Sequence, residues 1–231
     1  MPQIGAAAAG LLGTPVPVLL ADACALLDII RAPARNSAPH LLAVQKVASA
    51  LTATPPGCQV VTASITRKEF TDHREEERKR LAKHIDDLEQ TAAQFHQACQ
   101  AVTIPVSASG FVAAGLPAAL LNLAQGLLDS SVTLDPDNPT LARAYQRVID
   151  SRRPAQHGAI KDSVMLEEYL ELTRQLRAGG FTLPIVFLSS NPDDFCEGGA
   201  RALHPDLQAE FAPLNLGFCM VWPAAVQQLG L

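Results

Sequence analysis

The chain has 231 residues, is 48% apolar and 18% charged, and carries a formal charge of -5. That composition belongs to a globular protein with a substantial core, and it excludes intrinsic disorder, collagen-like repeats and a small disulfide scaffold. The acidic balance, with a pI of about 5.6, also excludes a bulk basic surface for gripping duplex DNA, while leaving room for a local basic face.

The apolar start, Ile4 to Leu20, has no Lys or Arg before Arg31, so the positive region of a signal peptide is missing. Pro15 and Pro17 disfavour a membrane helix there, and no other uninterrupted apolar run reaches spanning length. Cys24, Cys58, Cys99, Cys196 and Cys219 are odd in number, far apart and never in C-x-x-C spacing. Free, mostly buried thiols in a reducing compartment fit that pattern better than structural zinc, so a cytoplasmic protein is expected.

Val16 to Ala21 predicts a buried parallel strand that ends at Asp22 and feeds an amphipathic helix to Arg31. After a loop from Pro33 to Pro39, Leu41, Val44, Val47 and Leu51 recur at helical spacing, and Thr54-Pro55-Pro56-Gly57 closes that helix. Cys58 to Thr62 is a second strand. Residues 65–102 then read as one long helix, with Leu81, Ile85, Leu88, Ala92, Phe95, Cys99 and Val102 alternating spacings of four and three. Its first part, Asp72 to Lys83, is charged on nearly every residue, with Glu75/Lys79 and Glu76/Arg80 at i,i+4 spacing. Signs are nearly balanced, so a solvated face is the preferred reading over an RNA-binding one.

Ser107 to Gly110 is a predicted loop and Gly115 to Leu128 an uncharged, buried helix. Asp137-Asn138-Pro139 opens a helix through Asp150, with proline in its first turn. Pro154 to Gly158 interrupts the chain before a helix from Lys161 to Arg177, which Gly179-Gly180 closes. Pro184 to Ser190 is the clearest buried strand, and Gly217 to Trp222 the last. This alternation predicts an α/β protein whose central parallel sheet is flanked by helices. A single domain over 1–231 is expected, with a helical elaboration over 72–150.

Several motifs fail on inspection. Gly5 and Gly10 have P-loop spacing, but Leu11-Leu12 replaces Lys-Ser/Thr. No G-x-G-x-x-G follows a strand, and neither H-E-x-x-H nor G-x-S-x-G occurs. An aspartyl-nucleophile phosphatase would want an acid where Cys24 stands. What remains is a set of acids at suggestive places: Asp22 at the end of the first strand, Glu69 early in the helix after the second, Asp162 opening the helix that precedes the third, and Asn191, Asp193 and Asp194 directly after that strand. Residues just beyond strand carboxyl ends converge on one crevice in an open parallel sheet. Carboxylates gathered there repel one another, and a divalent cation such as Mg²⁺ or Mn²⁺ removes that cost. Each acid also has a structural alternative: Asp22 as a helix cap, Thr66 to Glu69 as a capping box, Asp162 as a partner of the helix dipole, and Asn191 to Asp194 as a turn.

The blocks VLLADACALLDII around Asp22, TASITRKEF around Glu69, HGAIKDSVMLEEYLEL around Asp162 and IVFLSSNPDDF ending at Phe195 resemble the PIN-like nuclease superfamily. Within it they are similar to a bacterial subgroup with K-D-x-x-x-x-E before a strand ending S/T-x-N-x-x-D-F. The resemblance spans roughly residues 16–222 by segment order. It implies a PIN-like three-layer fold and a metal-dependent ribonuclease that hydrolyses RNA phosphodiester bonds with Mg²⁺ or Mn²⁺. By position it assigns Asp22, Asp162 and Asp194 as metal ligands, Glu69 as a further catalytic acid, and Asn191 where many relatives carry an acid. Asn191 and the net acidity keep open a catalytically silent module that binds RNA or a protein inhibitor or activator. A small-molecule phosphohydrolase on a related sheet is a third reading. Arg143, Arg147, Arg152, Arg153 and Lys161 face only Asp150 in the stretch leading to Asp162, and Arg152, Arg153 and Lys161 are the expected contacts to single-stranded RNA.

Overall fold

The computed structural model describes residues 3–35, 37–104, 115–155, 160–198 and 202–231. The predicted loop at Ser107 to Gly110 lies outside the described residues, as do positions 156–158 of the predicted break. Five strands form one sheet: β1 (Val18–Ala21), β2 (Gln59–Ala63), β3 (Val132–Leu134), β4 (Ile185–Leu188) and β5 (Leu216–Cys219). All pair in parallel, in the order β3-β2-β1-β4-β5. Central β1 is apolar throughout because both faces of a parallel sheet are covered by helices.

Alternation along each strand sorts the core into two layers. Leu19, Ala21, Val60, Val186 and Leu188 pack against α2 (Ala23–Arg31), α3 (Ala38–Thr52), the first part of α4 (Ser64–Ala101), α5 (Leu116–Asp129) and α10 (Trp222–Leu229). On the other face Val18, Leu20, Val61, Ile185 and Phe187 pack against α1 (Ile4–Gly13), α7 (Ile160–Ala178) and α9 (Pro205–Phe211). Trp222 anchors the first layer by donating its indole N–H to the Ala25 carbonyl at 3.0 Å. In the second, Phe187 touches the rings of Tyr169, Phe195, Phe211 and Phe218.

The predicted helices and four strands are present. β3 adds a fifth strand, the apolar start forms α1, and α9 and α10 add helices near the carboxyl terminus; the last strand stops at Cys219, and Trp222 opens α10 instead of ending the strand. Asp137 caps α6 (Asn138–Ile149) as expected, accepting from the Thr140 N–H at 2.8 Å. Beyond α7, Gly180 takes φ +85°, a left-handed conformation that glycine adopts without strain. The helix after β2 starts at Ser64, with no side-chain cap, so the Thr66–Glu69 capping box is not formed and Glu69 lies in the second turn. The five cysteines are unbridged. No helix among the described residues is long and apolar enough to cross a membrane.

Successive strands run outward from β1 in one direction through β2 and β3, and in the other through β4 and β5. The order reverses between β1 and β4, and in open α/β sheets ligands bind in the crevice beyond the strand carboxyl ends at such a reversal. Tyr169 of α7 fixes its floor. Its hydroxyl donates to the Ala21 carbonyl at 2.7 Å and accepts from the Ala63 N–H at 3.0 Å, joining the ends of β1 and β2.

Candidate active site

Asp22 is the first residue past β1 and lies 5% exposed at the head of the crevice. The helix-cap reading of it is met. One oxygen, Oδ1, accepts from the Ala23 N–H at 2.6 Å, so the side chain caps α2. The other, Oδ2, accepts from the Ser189 hydroxyl at 2.7 Å and the Cys24 thiol at 2.9 Å. Burial still pushes the Asp22 carboxyl above its ordinary range, although those hydrogen bonds oppose the shift. Burial and the Asp22 charge together raise the Cys24 thiol well above normal, so it stays a neutral donor rather than a reactive thiolate.

The other predicted acids come from three more elements and converge on the same place. Asp162 occupies the first turn of α7 and is pushed up to about 7 by burial and by the charges of Asp22, Asp194 and Glu69. Glu69 of α4 is raised by burial and Asp22, against Lys161 and His73. Asp194 lies in the four-residue α8 (Pro192–Phe195) and is raised by burial, held back by its bond from the Asn191 amide and the nearby Arg153. Asn191 starts that turn, as expected, and its backbone N–H donates to the Ser189 hydroxyl at 3.3 Å. Asp193 is exposed, and its charge adds to those that raise Asp194.

Asp22, Glu69, Asp162 and Asp194 therefore share one electrostatic neighbourhood in which negative charge exceeds its counter-charge. They are spread rather than closed on a point: among the described residues, no three acidic, histidine or cysteine side chains are gathered tightly enough to hold a metal ion. Two of the carboxylates are turned instead to donors of their own, Asp22 to Ala23, Ser189 and Cys24, and Asp194 to Asn191.

The basic stretch divides in two. Lys161 and Arg153 act on the acids, Lys161 on Glu69 and Arg153 on Asp194. Arg143, Arg147 and Arg152 are instead committed to acids of the chain itself. Arg147 is 1% exposed and lies between Glu167 and Glu210, with contacts of 3.0 Å and 2.6 Å. Arg152 binds Glu210 at 2.8 Å, and Arg143 binds Glu171 at 2.9 Å. Arg147 also donates to the Arg153 carbonyl at 2.7 Å, so the buried network places Arg153, whose guanidinium reaches the Asp193 carbonyl.

Sequence reasoning had no role for Ser189 or Tyr169 and treated Cys24 only as a missing acid. Ser189 lies within the S-S-N-P-D-D-F block, which carried the signal; Tyr169 carried none, because its hydroxyl acts on backbone atoms remote in sequence. The charged run on α4 is largely a solvated face, with Arg80 on Glu76 at 2.5 Å. Its exception is Glu77, 7% exposed and paired with Arg31 at 2.9 Å. Comparison of the chain with protein-family models, with curated proteins and with solved structures finds no match in any of the three.

Proposed function

We propose that this chain is a PIN-like, metal-dependent ribonuclease whose centre is the crevice at the carboxyl ends of β1 and β4. The observation that carries the reading is the placement of Asp22, Asp194 and Glu69, each from a different element, around the partly buried Asp162 at the head of α7. Four carboxylates in one partly buried crevice, with Lys161 and Arg153 as the neighbouring cations, lack positive charge, and an all-oxygen donor set suits a hard divalent cation. Asp22, Asp162 and Asp194 would hold Mg²⁺ or Mn²⁺, with the Asn191 carbonyl oxygen beside them, and binding has to draw these side chains closer than they stand. When bound, such an ion supplies an activated water and neutralises charge on a phosphodiester.

The chain's own residues do the remaining work. Ser189 and Cys24 fix the orientation of Asp22, and Tyr169 fixes the floor beneath it. Glu69 is a further acid on the β2 side, suited to accept a proton from water because its own carboxyl is raised. Arg153 and Lys161 supply the cations for a single RNA strand crossing the crevice.

A specific observation favours the second reading, a catalytically silent module that binds RNA or a protein partner. Asn191 donates its amide to Asp194 and so occupies one of the proposed ligands. Incubating a mixed single-stranded RNA pool with Mn²⁺, with Mg²⁺ and with EDTA, beside Asp22→Asn, separates the two. Cleavage that needs the metal and is lost in Asp22→Asn supports the nuclease. Metal binding seen by calorimetry without cleavage supports the silent module, and metal-independent cleavage surviving in Asp22→Asn refutes the proposed centre.

A further inference from the structure

The helix α4 is 38 residues long, about 57 Å at 1.5 Å per residue, and only its first part belongs to the domain. Helix α5 lies antiparallel along that part, with Asp129 on Arg67 at 3.1 Å and Gln125 bonded to Arg74. Leu81 and Ile85 are buried in the core, 2% and 4% exposed. Beyond Ile85 not one residue of α4 is buried, yet the apolar stripe continues without a change of spacing: Leu88 is 45% exposed, Phe95 70%, and Val102, which ends the helix, 63%.

Alternating spacings of four and three keep a stripe on one side of a supercoiled pair, so the partner that fits this face is another helix with the same period. The chain itself carries one. Antiparallel pairing of two α4 arms about a point between Ala92 and Phe95 places Phe95 of each copy opposite Ala92 of the other, and Leu88 opposite Cys99. Large side chains then face small ones at the centre, as a packed seam requires. A parallel pair would instead set Phe95 on Phe95 and Ala92 on Ala92, overfilling one layer and emptying the next. Flanking the antiparallel seam, Glu89 of one arm lies on the same side as His96 of the other. We propose that the exposed half of α4 is a homodimerisation arm that pairs antiparallel with a second copy of this chain.

The arm is short, which places its interface at the small end of specific interfaces and its dissociation constant on the order of micromolar. Sedimentation velocity of the full chain between about 1 and about 200 µM should show a monomer–dimer equilibrium. Phe95→Asp, at a position that touches no core residue, should raise the dissociation constant by more than about 30-fold while leaving the circular dichroism spectrum and melting temperature unchanged. Leu88→Cys, oxidised with diamide, should give a covalent dimer in which peptide mapping finds Cys at position 88 joined to Cys99 of the other copy. A chain that stays monomeric over that range, or a dimer indifferent to Phe95→Asp, overturns the proposal. Crosslinks of position 88 to 88 and of Cys99 to Cys99 overturn the antiparallel arrangement.

Discussion

Replacing Glu168 tests the account of how this fold carries charge in its interior. Glu168 is 0% exposed in α7, and neither carboxyl oxygen meets a hydrogen-bond donor. Burial, reinforced by the charges of Asp135 and Asp137 beyond β3, pushes its carboxyl up to about 8. The folded protein therefore holds a proton on Glu168 at neutral pH, while the unfolded chain releases it near pH 4.5. The direction follows from linkage: stability is unaffected below the unfolded value, falls as pH rises through the interval to about 8, and is constant above it. At about 1.4 kcal/mol per unit, the whole interval costs roughly 3–5 kcal/mol. Glu168→Gln removes the titration and keeps the shape. Urea unfolding of both proteins from about pH 5 to about pH 9 should show the variant gaining on the wild type by about 1.4 kcal/mol per unit, then levelling near pH 8. Differencing the two removes the contributions of Asp22, Glu69, Asp162 and Asp194, which titrate in both. Parallel curves would refute the reasoning, because they would mean that Glu168 is solvated or paired.

Three further outcomes follow from the crevice and its supports. Arg147→Met leaves Glu167 with Arg143 and Glu210 with Arg152 as their remaining partners and should cost roughly 3 kcal/mol by urea unfolding; a loss under about 1 kcal/mol would show the buried guanidinium to be dispensable. Because a proton on Asp162 competes with a divalent cation, Mg²⁺ affinity measured by calorimetry should rise with pH up to about 7 and then level, and a flat profile would remove Asp162 from the ligand set. Single-stranded RNA binding should weaken markedly in Arg153→Ala and little in Arg152→Ala, with a shallow salt dependence reflecting about two free cations; equal effects of the two changes would contradict the division of the basic stretch.

The sheet was legible where strands were long enough to show a continuous apolar run. VPVLLA and PIVFLSS announced themselves, whereas the Val-Thr-Leu of β3 is too short to rise above the Ser and Asp that flank it. Helix α1 was hidden for the opposite reason, since IGAAAAGLLG has no polar residue to reveal a helical period. The convergence of Asp22, Glu69, Asp162 and Asp194 followed from the rule that strand carboxyl ends meet at one edge. What the sequence could not display is pairing across distance. Arg147 and Arg152 counted as available cations until Glu210, some sixty residues on, took them both. Likewise Cys24 read as a gap in an acid motif, when its thiol and the Ser189 hydroxyl together hold Asp22.

The Tyr169 hydroxyl has a mechanical consequence. Neighbouring strands splay where their ladder ends, and a crevice between splayed strands widens or narrows with whatever enters it. By bonding to Ala21 and Ala63 at once, Tyr169 prolongs the ladder by one cross-link made from a side chain, and does so from the helix that carries Asp162. The ends of β1 and β2, which lead into Asp22 and the start of α4, are thus held together from the helix that carries Asp162. The β4 side is tied to the same place by different atoms: the Asp22 N–H donates to the Leu188 carbonyl, the Ser189 hydroxyl to the Asp22 carboxylate and the Ser190 N–H to the Cys24 sulfur. Three neighbouring strand ends therefore share one knot of hydrogen bonds, and a change to any one of its members is felt at all three.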